Sequence, residues 1–472
     1  MRVFLFLASF VIILSASAQV KRNYAVDVNM FGTHGQDIGS LLVSHPQKNE
    51  RALFLMTNKE LYAAKLDSVF DRDREMYVNL RRYPNGFKLE NAVAVDSMYS
   101  LLMYNYRQKN FGFVEVNFED DFYETYKKIG FKLEANEYYL GNATHDRSFV
   151  IFTYHGWRNR LRIYKLQTDG SREVFEFDPD PLYVGLLDRL RYTKENWERW
   201  VVLDGKTHPT LNHGFSYRKI FVEGDEVIFM VDHPVLKSIH TLTFNLNDRS
   251  TTPRYLPKPV IHGQQHYHAS SAWYHNQQVY SVATRNHRLA FTVYHLPTGE
   301  VQMQEMIDKT QAFPFLNGPI MDMDTHSPRR AHAATRKFVR RLTTMNAGLV
   351  VLPRINANTV EVTLGMFNPS YNNPHGKMQR GENPDAGVYK HPYGVQDTVY
   401  RVDNQLFFYL NRGDLSKVDV YEKNSYQQKI ARYFGDWDPH FGDFIIREED
   451  LLLTGYYLYD RKMYVIEEIK GL

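Results

Sequence analysis

The sequence predicts an all-β fold in which a small four-stranded sheet is repeated around a ring, interrupted by two short helical insertions. Three observations carry that expectation. Short aromatic and β-branched segments of alternating character run the length of the chain, and they come in pairs. Three of the seven intervals between successive pair starts are 45 or 48 residues and a fourth is 52, close to the length of one four-stranded unit. No stretch rich in Pro, Gly or Ser divides the chain, which argues against two independent β-sandwiches. Composition permits such a ring, because 43% hydrophobic and 14% aromatic residues supply a core for 472 residues. The complete lack of Cys excludes disulfides, thiolate metal sites, iron–sulfur clusters and cysteine nucleophiles.

In chain order, residues 1–18 read as a secretory signal peptide. Met1-Arg2 is a positive start, Val3 to Leu14 is almost unbroken apolar sequence, and Ala16-Ser17-Ala18 places small residues before a cleavage point at Gln19. A secreted or periplasmic protein is therefore expected. No later segment approaches ~18 uninterrupted apolar residues, so no transmembrane segment is expected after cleavage. No Cys follows to carry a lipid anchor, and residues 19–472 are expected to form one domain.

Tyr24–Met30 is a strand candidate that could pair beside Met463–Ile469 and close the ring. The strand pairs are Leu53–Thr57 with Leu61–Leu66, Leu101–Tyr106 with Gly112–Phe118, and Phe149–Tyr154 with Leu161–Leu166. Val227–Asp232 with Thr241–Leu246, Val279–Thr284 with Ala290–Leu296, and Gly348–Leu352 with Thr359–Met366 come next. Leu406–Leu410 with Lys417–Tyr421 and Leu451–Tyr457 with Met463–Glu468 complete the series. Asn85-Gly86, Asp169-Gly170, Glu223-Gly224-Asp225 and Thr298-Gly299 supply turn chemistry beside these runs. Arg412-Gly413-Asp414 spells an adhesion tripeptide, but its place between two strands reads as a hairpin turn.

The two widest intervals hold the helical insertions, at about 178-212 and 308-345. In the first, Asp178-Pro179-Asp180-Pro181 precedes Leu182, Leu186 and Leu190, with Asp180 as cap and Pro181 in the first turn. In the second, Ser327-Pro328 opens a stripe of Ala331, Ala334, Phe338 and Leu342. A third short helix is a possibility around Asp120–Lys128.

The spacing and strand character resemble the β-propeller superfamily, over most of the mature chain. The phrase from His268 through Trp273-Tyr274-His275-Asn276 to Val279–Thr284 is similar to the strand–turn–strand phrase of secreted and periplasmic propellers. The resemblance implies a seven- or eight-bladed β-propeller. No repeated WD dipeptide and no kelch di-glycine signature is present, Trp437-Asp438 being a single occurrence.

No hydrolase elbow, zinc-protease helix, phosphate loop or dinucleotide fingerprint occurs. The candidate metal ligands are His262, His266 and His268, with Gln264, and a second cluster of Asp322, Asp324 and His326. In an extended chain His266 and His268 project from one face and can reach one ion. The Gln264-x-His266-x-His268 set is similar in residue type to the metal site of oligogalacturonate lyases, which are β-propellers. That resemblance implies a divalent metal acidifying the proton beside a uronate carboxylate, with a Lys, Arg, Tyr or His as base. Tyr274, Arg285 and His287 are near in sequence.

Candidate binding residues are Arg329, Arg330, Arg336, Lys337, Arg340 and Arg341, a cationic rim on the second insertion's helix. Trp157, Trp437 and His440 lie in loop-like sequence, and Tyr371, Tyr389 and Tyr393 are further rim candidates. Asp438 and Asp443 lie beside Trp437 and His440, and Phe31–Asp37 is a similar loop near the start. Asn368–Pro392 reads as a long surface loop.

The leading expectation is a secreted, non-catalytic binding protein that engages a protein or carbohydrate partner with the ring face and needs no cofactor. The alternative is a metal-assisted polysaccharide lyase or hydrolase acting on an acidic glycan, with a divalent metal ion. The net charge of +3 is too small to indicate nucleic acid.

Overall fold

A computed structural model describes residues 23–27, 39–57, 60–67, 70–80, 86–119, 123–127, 129–178, 200–205, 209, 211–261, 267–311, 313–315, 328–342, 346–353, 358–367, 405–419, 441–448, 451–458 and 463–468. Twenty-eight strands and two helices lie among them. Residues 1–18, expected as a signal peptide, Leu182–Leu190 of the first expected insertion, and Asn368–Pro392, expected as a loop, fall outside the described residues.

Strand β1 (Asn23–Asp27) precedes a first sheet of β2 (Gly39–Ser44), β3 (Arg51–Met56), β4 (Glu60–Leu66) and β5 (Arg72–Asn79). The second sheet holds β6 (Lys88–Val95), β7 (Met98–Asn105), β8 (Asn110–Asn117) and β9 (Tyr123–Lys127). The third holds β10 (Glu137–His145), β11 (Ser148–His155), β12 (Arg160–Leu166) and β13 (Arg172–Phe177). The fourth is built from β14 (Trp200–Leu203), then helix α1 (Leu211–Phe215), β15 (Arg218–Glu223), β16 (Glu226–Val231), β17 (Ser238–Asn245) and β18 (Thr251–Pro257). The fifth holds β19 (Ala269–His275), β20 (Gln278–Arg285), β21 (Arg288–His295) and β22 (Val301–Asp308). Helix α2 (Pro328–Leu342) leads into the sixth, of β23 (Asn346–Pro353), β24 (Thr359–Phe367) and β25 (Gln405–Asn411). The seventh holds β26 (Phe441–Glu448), β27 (Leu451–Leu458) and β28 (Met463–Glu468).

Burial explains the ring. The middle strands are apolar on both faces, as in β3, β7 and β11, so no sheet can bury them alone. Separate apolar clusters lie between the first and second, the second and third, and the third and fourth sheets, and one large cluster spans the fourth, fifth and sixth. First strands of neighbouring sheets touch in turn: β2 with β6, β6 with β10, β10 with β14, and β19 with β23. The seam closes because β1 adds to the outer edge of β28, with Tyr24 opposite Ile466. There Tyr464 donates to Ser40 Oγ at 2.9 Å, β26 meets β2, and Val26, Leu53, Leu453 and Ile466 share one apolar cluster. The chain is a β-propeller, with the predicted pairing of Tyr24 beside the last strands in place.

Three details depart from the sequence reading. The eight expected pairs fall into seven sheets, because Leu406–Leu410 pairs with β24 inside the sixth sheet instead of starting its own. Beyond the Arg412–Asp414 turn, Lys417 returns to Leu410 as a single bridge. The helix considered at Asp120–Lys128 is a strand, β9, paired along β8. Tyr123, Thr125 and Tyr126 suit a pleated edge better than a helix, and the free edge of β8 decides it.

The first insertion turns inward. β14 pairs in parallel with β15 and stands between it and β10, while α1 packs on β19 and β23 inside the ring. That approach needs glycine on both sides. A Cβ on Gly348 would sit 2.5 Å from the Phe215 ring, and one on Gly214 would sit 2.8 Å from the Leu349 carbonyl. Ser271 Oγ donates to the Gly214 carbonyl at 2.8 Å and accepts from the Leu349 amide at 3.1 Å. Beside α1, Lys219 is buried and donates to the Ser216 carbonyl, and burial pushes its ammonium down to about 7.

The second insertion matches its sequence pattern more directly. Phe338 and Leu342 of the predicted stripe are buried in the large cluster together with Val339. Thr284 Oγ1 donates to the Leu342 carbonyl at 3.3 Å and ties the end of α2 to β20.

Candidate functional site

A concavity lined by polar and cationic residues is built at one end of the second and third sheets. Its first wall is the β7–β8 turn. Asn105 is buried, and its Oδ1 accepts from the Arg107 and Gln108 amides at 3.1 and 3.0 Å, while Lys109 takes a left-handed φ of 56° to complete the turn. The second wall is the connection 129–136. It runs antiparallel to the start of β8 through a bridge between Asn110 and Lys132, with the Phe111 amide on the Phe131 carbonyl at 2.9 Å. Phe131 lies flat on Phe111, centroids 4.9 Å apart, so the wall is anchored by stacked rings beneath it.

Arg107, Gln108, Lys109, Asn110, Lys132, Leu133 and Ala135 line the crevice between these walls, about 510 Å³ in volume. Lys109 has a structural duty. Its Nζ donates to the Ala135 and Glu137 carbonyls at 2.8 and 2.9 Å and lies 5.3 Å from the centre of the Tyr138 ring. Its burial lowers its pKa, and the Glu137 carboxylate opposes that shift. Arg107 and Lys132 are exposed, and no carboxylate partner pairs with either among the described residues.

Trp157 is not a lining residue, but its turn is tied to the second wall of the crevice. It belongs to the β11–β12 turn, whose Gly156 amide bonds the Asn136 carbonyl at 2.9 Å, next to the lining residue Ala135. Its side chain is 77% exposed, the largest apolar exposure among the described residues. The turn beneath it is held by charge. His155 Nε2 donates to Glu134 at 3.0 Å, and its Nδ1 accepts the Arg158 amide at 3.2 Å. Arg162 is buried and reaches Glu134 at 2.7 Å, Glu176 at 2.6 Å and Glu137 at 3.3 Å. Glu137 also accepts the Thr153 and Tyr164 hydroxyls, each at 2.6 Å. The hydrogen bond from Arg162 holds the Glu134 carboxyl below its usual range.

A second buried carboxylate lies behind the first wall. Glu90 occupies a bulge in β6, and accepts the Tyr106 and Tyr139 hydroxyls at 2.8 and 2.9 Å. Burial pushes Glu90 up to about 7, against the stabilising hydroxyls and Lys88. Glu90 is 1% exposed, so it shapes the wall without facing solvent.

Of the sequence-predicted residues, Trp157 falls at this site. Arg336, Lys337 and Arg340 are exposed on α2 and Arg341 is half-buried, with Arg340 and Arg341 holding other partners. For Arg329 and Arg330 only the helical backbone is described. His268 is exposed just before β19, its amide bonded to the Thr284 carbonyl at 2.8 Å. His262, His266, Asp322, Asp324, His326, Trp437 and His440 lie outside the described residues, as do Tyr371, Tyr389 and Tyr393. Tyr274 is 4% exposed against Phe221, which removes it as a solvent-facing base. The sequence reading missed Arg107, Lys109 and Lys132. Their only local signal is Arg107-Gln108-Lys109 immediately after a turn-forming Asn105.

Among the described residues, the group with metal-ligand chemistry is His145, Asp146 and Asp225, at the opposite end of the third and fourth sheets. His145 bonds Asp225 at 2.9 Å and so clasps two sheets together.

No protein-family model matches the chain, and no curated protein does. Among solved structures, the β-propeller domain of the Trilobed protease from Pyrococcus furiosus is 8% identical, over 92% of this chain and 94% of that one, with a TM-score of 0.38. The Nup133 β-propeller domain of Vanderwaltozyma polyspora is 9% identical, over 91% of this chain and 100% of that one, with a TM-score of 0.35. Dipeptidyl peptidase 4 of Porphyromonas gingivalis is 10% identical, over 69% of this chain and 50% of that one, with a TM-score of 0.31.

Proposed function

We propose that this propeller is a secreted or periplasmic, non-catalytic binding protein that engages a partner on the face carrying the crevice and Trp157. One observation carries the reading: an indole that is 77% exposed, on a turn that His155 and Arg158 tie to Glu134 and that Gly156 ties to Asn136 in the wall of the crevice. A large aromatic left in water costs burial energy of roughly 2–3 kcal/mol that a partner would recover. The rigid turn also reduces the ordering cost of binding.

The test is a binding screen of the mature protein against oligosaccharides and proteins, repeated with Trp157→Ala. A ligand bound at least ~10-fold more weakly by the variant, about 1.4 kcal/mol, supports the reading. Ligands that bind both proteins equally would place the binding surface elsewhere.

A further inference from the structure

Resting on that reading, we infer that the ligand is an anionic carbohydrate, with Trp157 taking a sugar face and Arg107 and Lys132 taking its carboxylate or sulfate. Two features point to that chemistry. Five of the seven lining residues carry polar ends on aliphatic stems, and Leu133 and Ala135 complete the wall, so the crevice offers both polar and apolar surface, as an amphipathic sugar ring requires. The cations are unevenly committed. Arg162, Arg158 and His155 are spent on Glu134, and Lys109 on two carbonyls, whereas Arg107 and Lys132 have no such partner among the described residues. Two uncompensated positive groups lining one concavity set up an attractive potential for an anion.

A sugar also fits better than a protein partner. A stable protein interface needs a contiguous apolar centre. Here the large exposed apolar side chains of the described residues are scattered: Tyr77, Tyr255 and Val301 stand on three different sheets, and Trp157 shares the third sheet only with Val174, which lies on its outer strand β13. A lone indole beside cations is a stacking platform for a pyranose face with charge at its edge.

The experiment measures affinity of the mature protein for oligogalacturonate, for a sulfated heparin-type oligosaccharide, and for the carboxyl-reduced neutral galactan of equal length. The variants are Trp157→Ala, Arg107→Gln and Lys132→Gln, each checked for an unchanged melting temperature. The expected result is binding of at least one anionic oligomer, weakened ~10-fold or more by each charge variant and by raising salt from 50 to 500 mM, with the neutral oligomer unbound. Preference between the first two ligands separates carboxylate from sulfate. Equal binding of the neutral oligomer, or affinity unmoved by Arg107→Gln and Lys132→Gln while Trp157→Ala abolishes it, overturns the anionic class and leaves the binding face standing. Capture of a defined protein through Trp157, with no oligosaccharide bound, replaces the carbohydrate. Binding that none of the three variants alters removes both readings.

Discussion

Arg162 and Arg107 stand at the same end of neighbouring sheets and live in opposite electrostatic surroundings. Arg162 is buried and bonds the carboxylates of Glu134, Glu137 and Glu176, with a longer bond to the Tyr164 hydroxyl. Arg107 projects from a tight turn into an open crevice with no carboxylate beside it among the described residues. The difference teaches where charge serves the fold and where, on the proposed reading, it would serve a ligand. A buried ion must be compensated at home, because desolvation is costly, whereas an exposed one costs the fold little.

The sharpest way to break that contrast is Arg162→Met. It leaves Glu137, which is 0% exposed, without its cation, and should cost roughly 3–5 kcal/mol in urea unfolding. A loss below ~1 kcal/mol would mean that the hydroxyls of Thr153 and Tyr164 satisfy Glu137 by themselves.

Next in size is the close approach inside the ring. Gly348→Ala forces the Phe215 ring aside and should cost roughly 1–3 kcal/mol. Combining it with Phe215→Ala should relieve the clash, so the double-mutant cycle should be non-additive. Additive losses would show that α1 does not press on β23.

A smaller effect concerns pH. Glu90 is raised to about 7 from an ordinary 4.5, so the folded state binds its proton more tightly than the unfolded chain between those values. Its contribution to stability is therefore full below pH 4.5 and declines as pH rises towards 7. Glu90→Gln should flatten that decline, and the difference between the two stability curves from pH 5 to 7.5 should be on the order of 1–2 kcal/mol. Parallel curves would place the carboxyl in water. Lys219 and His213, pushed down to about 7 and about 4, contribute opposite slopes that are common to both proteins and cancel in the difference.

The smallest stability effect falls on the proposed site itself. Trp157→Ala, Arg107→Gln and Lys132→Gln should each change stability by less than ~0.5 kcal/mol, because the groups they remove make no buried contact. A larger shift would reassign these residues to the fold and weaken the contrast with Arg162.

Much of the architecture was legible because local chemistry is repeated. Leu53, Leu101, Phe149, Val227 and Val279 head runs that are buried as strands, and the turns at Gly170, Gly224 and Gly299 take the positive φ that their glycines suggest. Turns without glycine were harder to see. Asp146-Arg147, Asn276-Gln277 and Asn286-His287 also turn with positive φ at both residues, since tight pairing of the flanking strands imposes it. β9 was taken for a possible helix because a short polar segment carries little period of its own.

The sequence by itself determined the strand repeat, the pairing of both chain ends in one sheet, and the buried stripe of α2, because each follows from side-chain pattern along the chain. Tertiary structure decided the merging of two strand pairs into the sixth sheet and the inward turn of β14 and α1. It also brought Arg107 and Lys132 into one crevice from separate connections, with the Trp157 turn tied to its wall. Charge compensation is a property of space: Glu134 can neutralise Arg162, 28 residues away in sequence, while Arg107, nearer in sequence, is left open.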